Sequence, residues 1–271
     1  MRTTELGWLR SLADDGGQLL FLTGAGISAE SGIPTFRGKE GFWTQGSRVY
    51  QPQELATWSA FSRNPQLVWP WYLWRRQRCR IADPNSAHED LVSLEAHLGD
   101  QFLLITQNVD GLHTRAGNSR SRTYEIHGNI DYMRCVKRCG PKRPVPDLPN
   151  IHEACRFDAS WASALECGPC RAWMRPHVLW FDETYDEANY RFESSIQAGS
   201  EADVLVVIGT TGATTLPAHL LHLAVRRRIP IIDINPEPNP FAEAAERSAG
   251  AWLQCSASMG IRALRDALMV G

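Results

Sequence analysis

The chain has 271 residues, of which 43% are hydrophobic and 21% charged, and its formal net charge is -2. That is room and composition for one large soluble α/β domain with insertions, and the near-balanced charge removes the electrostatic case for nucleic acid or an anionic membrane as partner. No apolar run approaches the roughly 18 residues of a membrane span, and the first residues mix both charge signs without a signal-peptide core. A cytoplasmic location is therefore expected, with the seven cysteines reduced and available for metal binding or packing.

In chain order, four apolar runs read as buried strands: Gln18–Leu22, Gln101–Thr106, Asp203–Ile208 and Pro230–Ile234. Continuous runs such as Asp203–Ile208 are the mark of a parallel sheet covered on both faces. Leu216–Arg228 has helical spacing and ends in Arg226, Arg227 and Arg228, a solvated last turn that suits the helix dipole. Two stretches break this rhythm. Residues 41–87 are helical in pattern and crowd Trp58, Trp69, Trp71 and Trp74 together, while residues 128–173 are rich in Cys, Pro and Arg with neither period sustained. Both read as insertions that build a smaller domain against the sheet.

Chemistry is concentrated in three places. The run Leu19–Leu22 feeds directly into Thr23-Gly24-Ala25-Gly26, where glycines would let backbone N–H groups approach a pyrophosphate. That fragment is weak evidence alone, because small residues also serve tight strand–helix packing, and the third glycine and the distal acidic residue of dinucleotide loops are absent. Cys135-x3-Cys139 and Cys167-x2-Cys170 have the paired spacing of a tetrahedral Zn2+ site, structural rather than catalytic if all four bind. His152 and Cys155 are an alternative ligand pair, and Cys79 and Cys255 read as packing residues. Arg134, Lys137, Arg138, Lys142 and Arg143 would offset the thiolate charge, or form a basic patch. The third place lies among the eight histidines, whose imidazole suits proton transfer near neutral pH; which of them does so, His127, is given by the resemblance that follows.

The string Gly24–Gly38, GAGISAESGIPTFRG, closely resembles the sirtuin signature. Further matches follow in order: Thr106–His113 (TQNVDGLH), Glu125–Gly128 (EIHG), Gly209-Thr210 and Ile234-Asn235. The resemblance spans Gly24 to about Leu268. It implies a Rossmann-like, doubly wound parallel sheet with a smaller domain made of a helical and a zinc-binding insertion. Residues 1–40, 88–127 and 174–271 would form the NAD-binding part, 41–87 the helical insertion and 128–173 the zinc-binding insertion. It further implies an NAD-dependent deacylase acting on acylated protein lysines, with His127 as the base that takes a proton from a ribose hydroxyl and His113 in a structural role.

By the same resemblance NAD would contact Gly24, Ala25, Gly26, Phe36, Arg37, Gln107, Asn108, Asp110, Gly209, Thr210, Thr211, Asn235 and Ala257, with Phe36 and Arg37 on a closing loop. The outer four cysteines, Cys135, Cys139, Cys167 and Cys170, would hold zinc. Tyr72 and Arg75 match the Tyr-x-x-Arg that binds succinyl or malonyl carboxylates in class III members, and Phe181 would contact the peptide. Two departures fall on the substrate side: Asp182 replaces a glycine, where its carboxylate is expected near the tunnel mouth, and the loop Gly209–Pro217 is one residue longer than usual. ADP-ribosyl transfer or NAD hydrolysis in the same pocket, and a non-catalytic NAD-sensing role, remain as alternatives.

Overall fold

The structure is a computed structural model that describes residues 6–34, 43–45 and 48–269. Its strands are β1 (Leu19–Thr23), β2 (Trp43–Gln45), β3 (Arg48–Tyr50), β4 (Phe102–Thr106), β5 (Thr123–Glu125), β6 (Gly128–Cys135), β7 (Arg143–Pro144), β8 (Met174–Val178), β9 (Val204–Ile208), β10 (Ile231–Ile234) and β11 (Ala251–Leu253).

The main sheet has six parallel strands in the order β11-β10-β9-β1-β4-β5. Counted along the chain, this is the doubly wound order, with its switch point between β1 and β9. Both faces are buried, as the apolar runs require. Leu19, Phe21, Val204, Val206 and Ile208 enter one core with the helices Ser86–Leu98 and Ala257–Met269. Leu20, Leu22, Ile105, Leu205 and Val207 enter the other, with Thr215–Arg227 and Pro240–Glu246. Register then sets the site: Thr23 lies level with Thr106 on one side and Ile208 on the other. The three following loops therefore leave the sheet at one height.

A third apolar cluster lies apart from the sheet. It joins the helix Pro65–Ile81 (through Val68, Trp69, Trp71, Tyr72, Leu73 and Cys79) to β6, β8 and the cysteine-bearing loops. The strand β6 is flanked by β7 and β8, both antiparallel to it. This strand falls where neither period is sustained in the sequence, because β6 buries residues irregularly on both sides and bulges between Gly128 and Met133. The Trp-rich insertion likewise begins with the antiparallel pair β2–β3 as well as helices. Arg76 fastens the insertions together: its buried guanidinium meets Asp131 at 2.9 Å, Asp147 at 3.1 Å and the Val145 carbonyl at 2.8 Å.

Candidate active site

The loop after β1 and the loop after β9 touch. A Cβ on Gly24 would lie 2.6 Å from Thr210 Cβ, and one on Gly209, whose φ is +61°, would lie 2.6 Å from the Ile27 nitrogen. Only glycine permits that approach. The N–H groups of Gly24 and Gly26 donate to the carbonyls of Ile208 and Gly209 at 2.9 and 2.8 Å. These two donors are therefore spent on the loop–loop junction and do not point free toward an anion, as the glycine pattern leads one to expect. Ala25 opens a single 3-10 stretch, Ala25–Ser31, rather than a full α-helix.

Side chains after β4 lock this junction. Gln107 Nε2 donates to Thr210 Oγ1 at 2.8 Å, and Thr214 Oγ1 donates to Gln107 Oε1 at 3.1 Å. Asn108 Nδ2 donates to the Gly24 carbonyl and to Ser28 Oγ, while Ser28 donates to Asp110 at 2.8 Å. Asp110 also accepts from the Leu112 N–H, and burial raises its pKa against these bonds. At the far side, Asn235 donates to the Thr210 carbonyl at 3.0 Å and to Asp233 at 2.9 Å. Buried Ala257 opens the last helix, which Glu30 ties back through Ser256 and Ser258. Thr211 is half-buried beside them. Gly24, Ala25, Gly26, Gln107, Asn108, Asp110, Gly209, Thr210, Thr211, Asn235 and Ala257 thus collect at the carboxyl edge of the sheet around its switch point, where open α/β sheets bind ligands. Phe36 and Arg37 lie outside the described residues.

His127 sits between β5 and β6. Its Nε2 is 2.8 Å from Tyr185 Oη, and the ring also bonds the Gln107 backbone. Burial pushes its pKa down to about 4, with the Gln107 bond opposing, so at neutral pH the imidazole is neutral and able to accept a proton. His113 is buried with Nε2 2.9 Å from Thr23 Oγ1, and burial drives its pKa well below the ordinary value. It braces β1 against the helix Leu112–Ala116.

The loop after β8 carries the next group. Arg175, buried, forms a bidentate pair with Glu183, donates to the Val178 carbonyl and lies 3.5 Å from the centre of the Trp180 ring. Trp180 Nε1 donates to Tyr72 Oη at 2.8 Å. Tyr72 is buried, and burial raises its pKa well beyond the usual phenol range, so the hydroxyl keeps its own proton for a further acceptor. Arg75 lies three residues on, its guanidinium 5.1 Å from the Trp71 ring centre. Phe181 exposes 58% of its surface while its N–H donates to the Ala56 carbonyl. Asp182 is not a free carboxylate at a tunnel mouth. Its two oxygens accept the Trp58 and Ser59 N–H groups at 2.6 and 3.0 Å, because the N-terminus of the helix Trp58–Arg63 offers unpaired donors and a positive dipole end.

The four sulfurs of Cys135, Cys139, Cys167 and Cys170 all lie within 4.8 Å of one another, with Cys135 and Cys170 at 3.5 Å. Zn–S bonds of about 2.3 Å at tetrahedral angles put sulfurs roughly 3.8 Å apart, so the set fits a zinc ion. The Lys137 N–H points at Cys135 Sγ, 3.3 Å away, as outer partners of thiolate ligands do. Cys155 and His152 are not in the cluster. Of the nearby cations, Arg134 donates to Tyr190 Oη and Arg143 to the Ala164 and Glu166 carbonyls.

The model of the Sir2 family matches residues 24–215. The chain belongs to the Sir2 family. Relatives named NAD-dependent protein deacylase include one from Aquifex aeolicus, 40% identical over 92% of this chain and 95% of its own length. Another, from Aeropyrum pernix, is 44% identical over 83% of each. Among solved structures, a Sir2 homolog–NAD complex superposes with a TM-score of 0.76 at 34% identity, covering 96% of this chain and 94% of that one. A Sir2 mutant with a p53 peptide and NAD gives 0.76 at 26% identity, covering 98% of each. This sirtuin holds residues that its motifs do not announce: Ser28 bridges Asn108 and Asp110, Arg175 and Glu183 clamp the loop after β8, and Tyr185 reaches His127. Ser28 at least lies within the glycine-rich string; Tyr185 has no sequence signal at all.

Proposed function

We infer that this sirtuin removes acyl groups from protein lysines at the expense of NAD, with His127 as the catalytic base and four cysteines holding a structural zinc. The observation that carries the reading is His127 itself: a half-buried, neutral imidazole bonded to the backbone of Gln107, whose side chain in turn locks the β1 and β9 loops together. NAD, when bound, supplies a ribose carbon made electrophilic by departure of nicotinamide. Gln107, Asn108 and Asp110 would orient the nicotinamide end, and Asn235 and Ala257 the adenosine end. His127 Nε2 would accept the proton of a ribose hydroxyl. The loop held by Arg175 and Glu183 would carry the peptide across Phe181.

A finer reading concerns the acyl group. Tyr72 and Arg75 would bind the distal carboxylate of a succinyl- or malonyl-lysine, the guanidinium as charge partner and the phenol as second donor. Support comes from the Tyr72 hydroxyl, whose oxygen already accepts the Trp180 N–H and whose proton is therefore directed elsewhere. Domain division into 1–40, 88–127 and 174–271 against 41–87 and 128–173 draws support from the separate cores, although Met174 and Val178 of β8 pack in the smaller one, which argues for a seam just after that strand.

The decisive experiment incubates purified protein with NAD, with and without acyl-lysine peptides, and measures nicotinamide. Release only with peptide is expected, and His127→Ala should still bind NAD yet fail to sustain turnover. Equal release without peptide would make the protein an NAD hydrolase, and no release under either condition would make it an NAD sensor.

A further inference from the structure

His127 has its ring nitrogens occupied before any substrate arrives. Nε2 faces Tyr185 Oη at 2.8 Å, and the ring bonds the Gln107 backbone as well. A base whose acceptor nitrogen already holds a donor cannot take up another proton until that donor leaves. The direction of the Tyr185 bond follows from the other side of the ring. The Gln107 N–H is spent on the Thr23 carbonyl at 2.9 Å, so the backbone group that bonds the imidazole is the Gln107 carbonyl, which can only accept. The imidazole proton therefore sits on Nδ1, toward Gln107, and Nε2 is left to accept from the Tyr185 hydroxyl, whose oxygen also meets Thr214 and the Leu216 backbone.

Tyr185 is held firmly enough to do this. Its ring stacks on Phe192 at 5.7 Å and lies 5.8 Å from the His127 ring. The next residue, Asp186, caps the helix Glu187–Tyr190 through the Asn189 N–H at 2.7 Å. Burial raises the phenol pKa to about 12, so the hydroxyl remains a donor throughout the working pH range.

We propose that Tyr185 is a positioning residue for the catalytic base: in the free protein it holds His127 as the Nδ1–H tautomer, and on substrate binding it exchanges its hydrogen bond to Nε2 for that of the ribose hydroxyl. This rests on His127 being the base. The exchange replaces one O–H donor with another, so Nε2 is kept aimed without ever being left unpaired. The phenol stabilises the neutral ring and so lowers its basicity only while the site is empty. The charged groups on the surrounding elements are committed elsewhere: Glu125 to Asn129, Asp110 to Ser28 and Leu112, Asp131 to Arg76 and Arg80, Asp182 to Trp58 and Ser59, Glu183 to Arg175, and Asp186 to Asn189. Tyr185 is the titratable side chain in direct contact with the ring among the described residues.

The test is the pH dependence of the two rate parameters, since kcat/KM reports the free enzyme and kcat the complex. In Tyr185→Phe the acid limb of kcat/KM should rise by roughly half to one pH unit, the scale of one hydrogen bond, while the acid limb of kcat stays in place. An unmoved kcat/KM limb overturns the proposal, and so does an equal shift of both limbs, which would keep Tyr185 on the base in the complex. A 3-fluorotyrosine at position 185 preserves the fold and donates more strongly, so its kcat/KM limb should move down instead; no shift there overturns the proposal independently of how Tyr185→Phe folds. His127→Ala run alongside separates the two failures. Turnover by that variant would remove the base assignment, whereas a dead His127→Ala with a wild-type Tyr185→Phe profile would remove only the role of Tyr185.

Discussion

Replacing Asp182 with alanine probes why a carboxylate stands in the loop after β8. The helix Trp58–Arg63 begins with three N–H groups that have no partner within it. Asp182 takes the first two, at 2.6 and 3.0 Å, and Thr57 Oγ1 takes the third, from Ala60, at 3.0 Å; the helix's own ladder then starts with Phe61 to Thr57 at 3.1 Å. Asp182 is thus a capping residue supplied from 124 positions downstream. Caps of this kind are worth about 0.5–2 kcal/mol, and because Asp182 is exposed, water would replace part of what is lost. A cost of about 1–1.5 kcal/mol is expected, or roughly 2–6 °C in Tm for a chain of this size. Asp182→Asn keeps one acceptor and should lose about half as much. The loop would remain tethered by the Phe181 N–H on Ala56 at 3.0 Å, so peptide KM should rise by similar factors for acetyl and succinyl substrates. Thermal melts and peptide titrations read both effects. A Tm within 1 °C of wild type together with unchanged peptide KM would refute the capping account, and a selective gain for acidic acyl groups would restore the view of Asp182 as a charge in the channel.

Zinc removal by a strong chelator, or Cys167→Ala, should lower Tm and loosen the smaller core before the sheet melts; a metal-to-protein ratio near zero in the untreated protein would sink the assignment. Arg75→Met should cost succinyl- and malonyl-lysine peptides about 2 kcal/mol, roughly 30-fold in kcat/KM, and spare acetyl-lysine, a pattern read directly from the two ratios. Folding stability should fall on acidification. His88 and His127 are depressed to about 4 and His177 to about 3 by burial. Each therefore binds its proton in the unfolded chain first, and its stability contribution, complete above about pH 6.5, declines at about 1.4 kcal/mol per pH unit until the folded pKa is reached. Asp233, raised to about 6 by burial, works the other way between about pH 4 and 6, as do Asp110 and Glu125, which burial also raises. Against burial, Glu30, Asp147, Asp158 and Glu187 are held below the usual carboxylate range by their hydrogen bonds and add to the loss on acidification. Urea melts between pH 7.5 and 4.5 check this, and a flat profile would contradict it.

Four of the six strands of the main sheet were readable in the amino-acid order to within a residue or so, because a parallel strand buried on both faces must be continuously apolar; the edge strands β5 and β11, three residues each, were too short to show. Gln18–Leu22 was expected where Leu19–Thr23 is observed, and Pro230–Ile234 where Ile231–Ile234 is observed. The paired cysteines and the glycine-rich string were legible for a related reason: ligand geometry and close backbone approach each admit few residue types at fixed spacing. β6 was hidden, since a bulged strand in a small sheet has no steady period. What the tertiary structure alone decided is who meets whom across long separations. The carboxylate of Asp182 could face a channel or a helix end, and unpaired backbone donors at Trp58 and Ser59 settle it. The hydroxyl of Tyr185 lies 58 residues from His127 in the chain and 2.8 Å from it in space. No local pattern encodes such a contact, because it depends on the packing of β8's loop against the loop after β9.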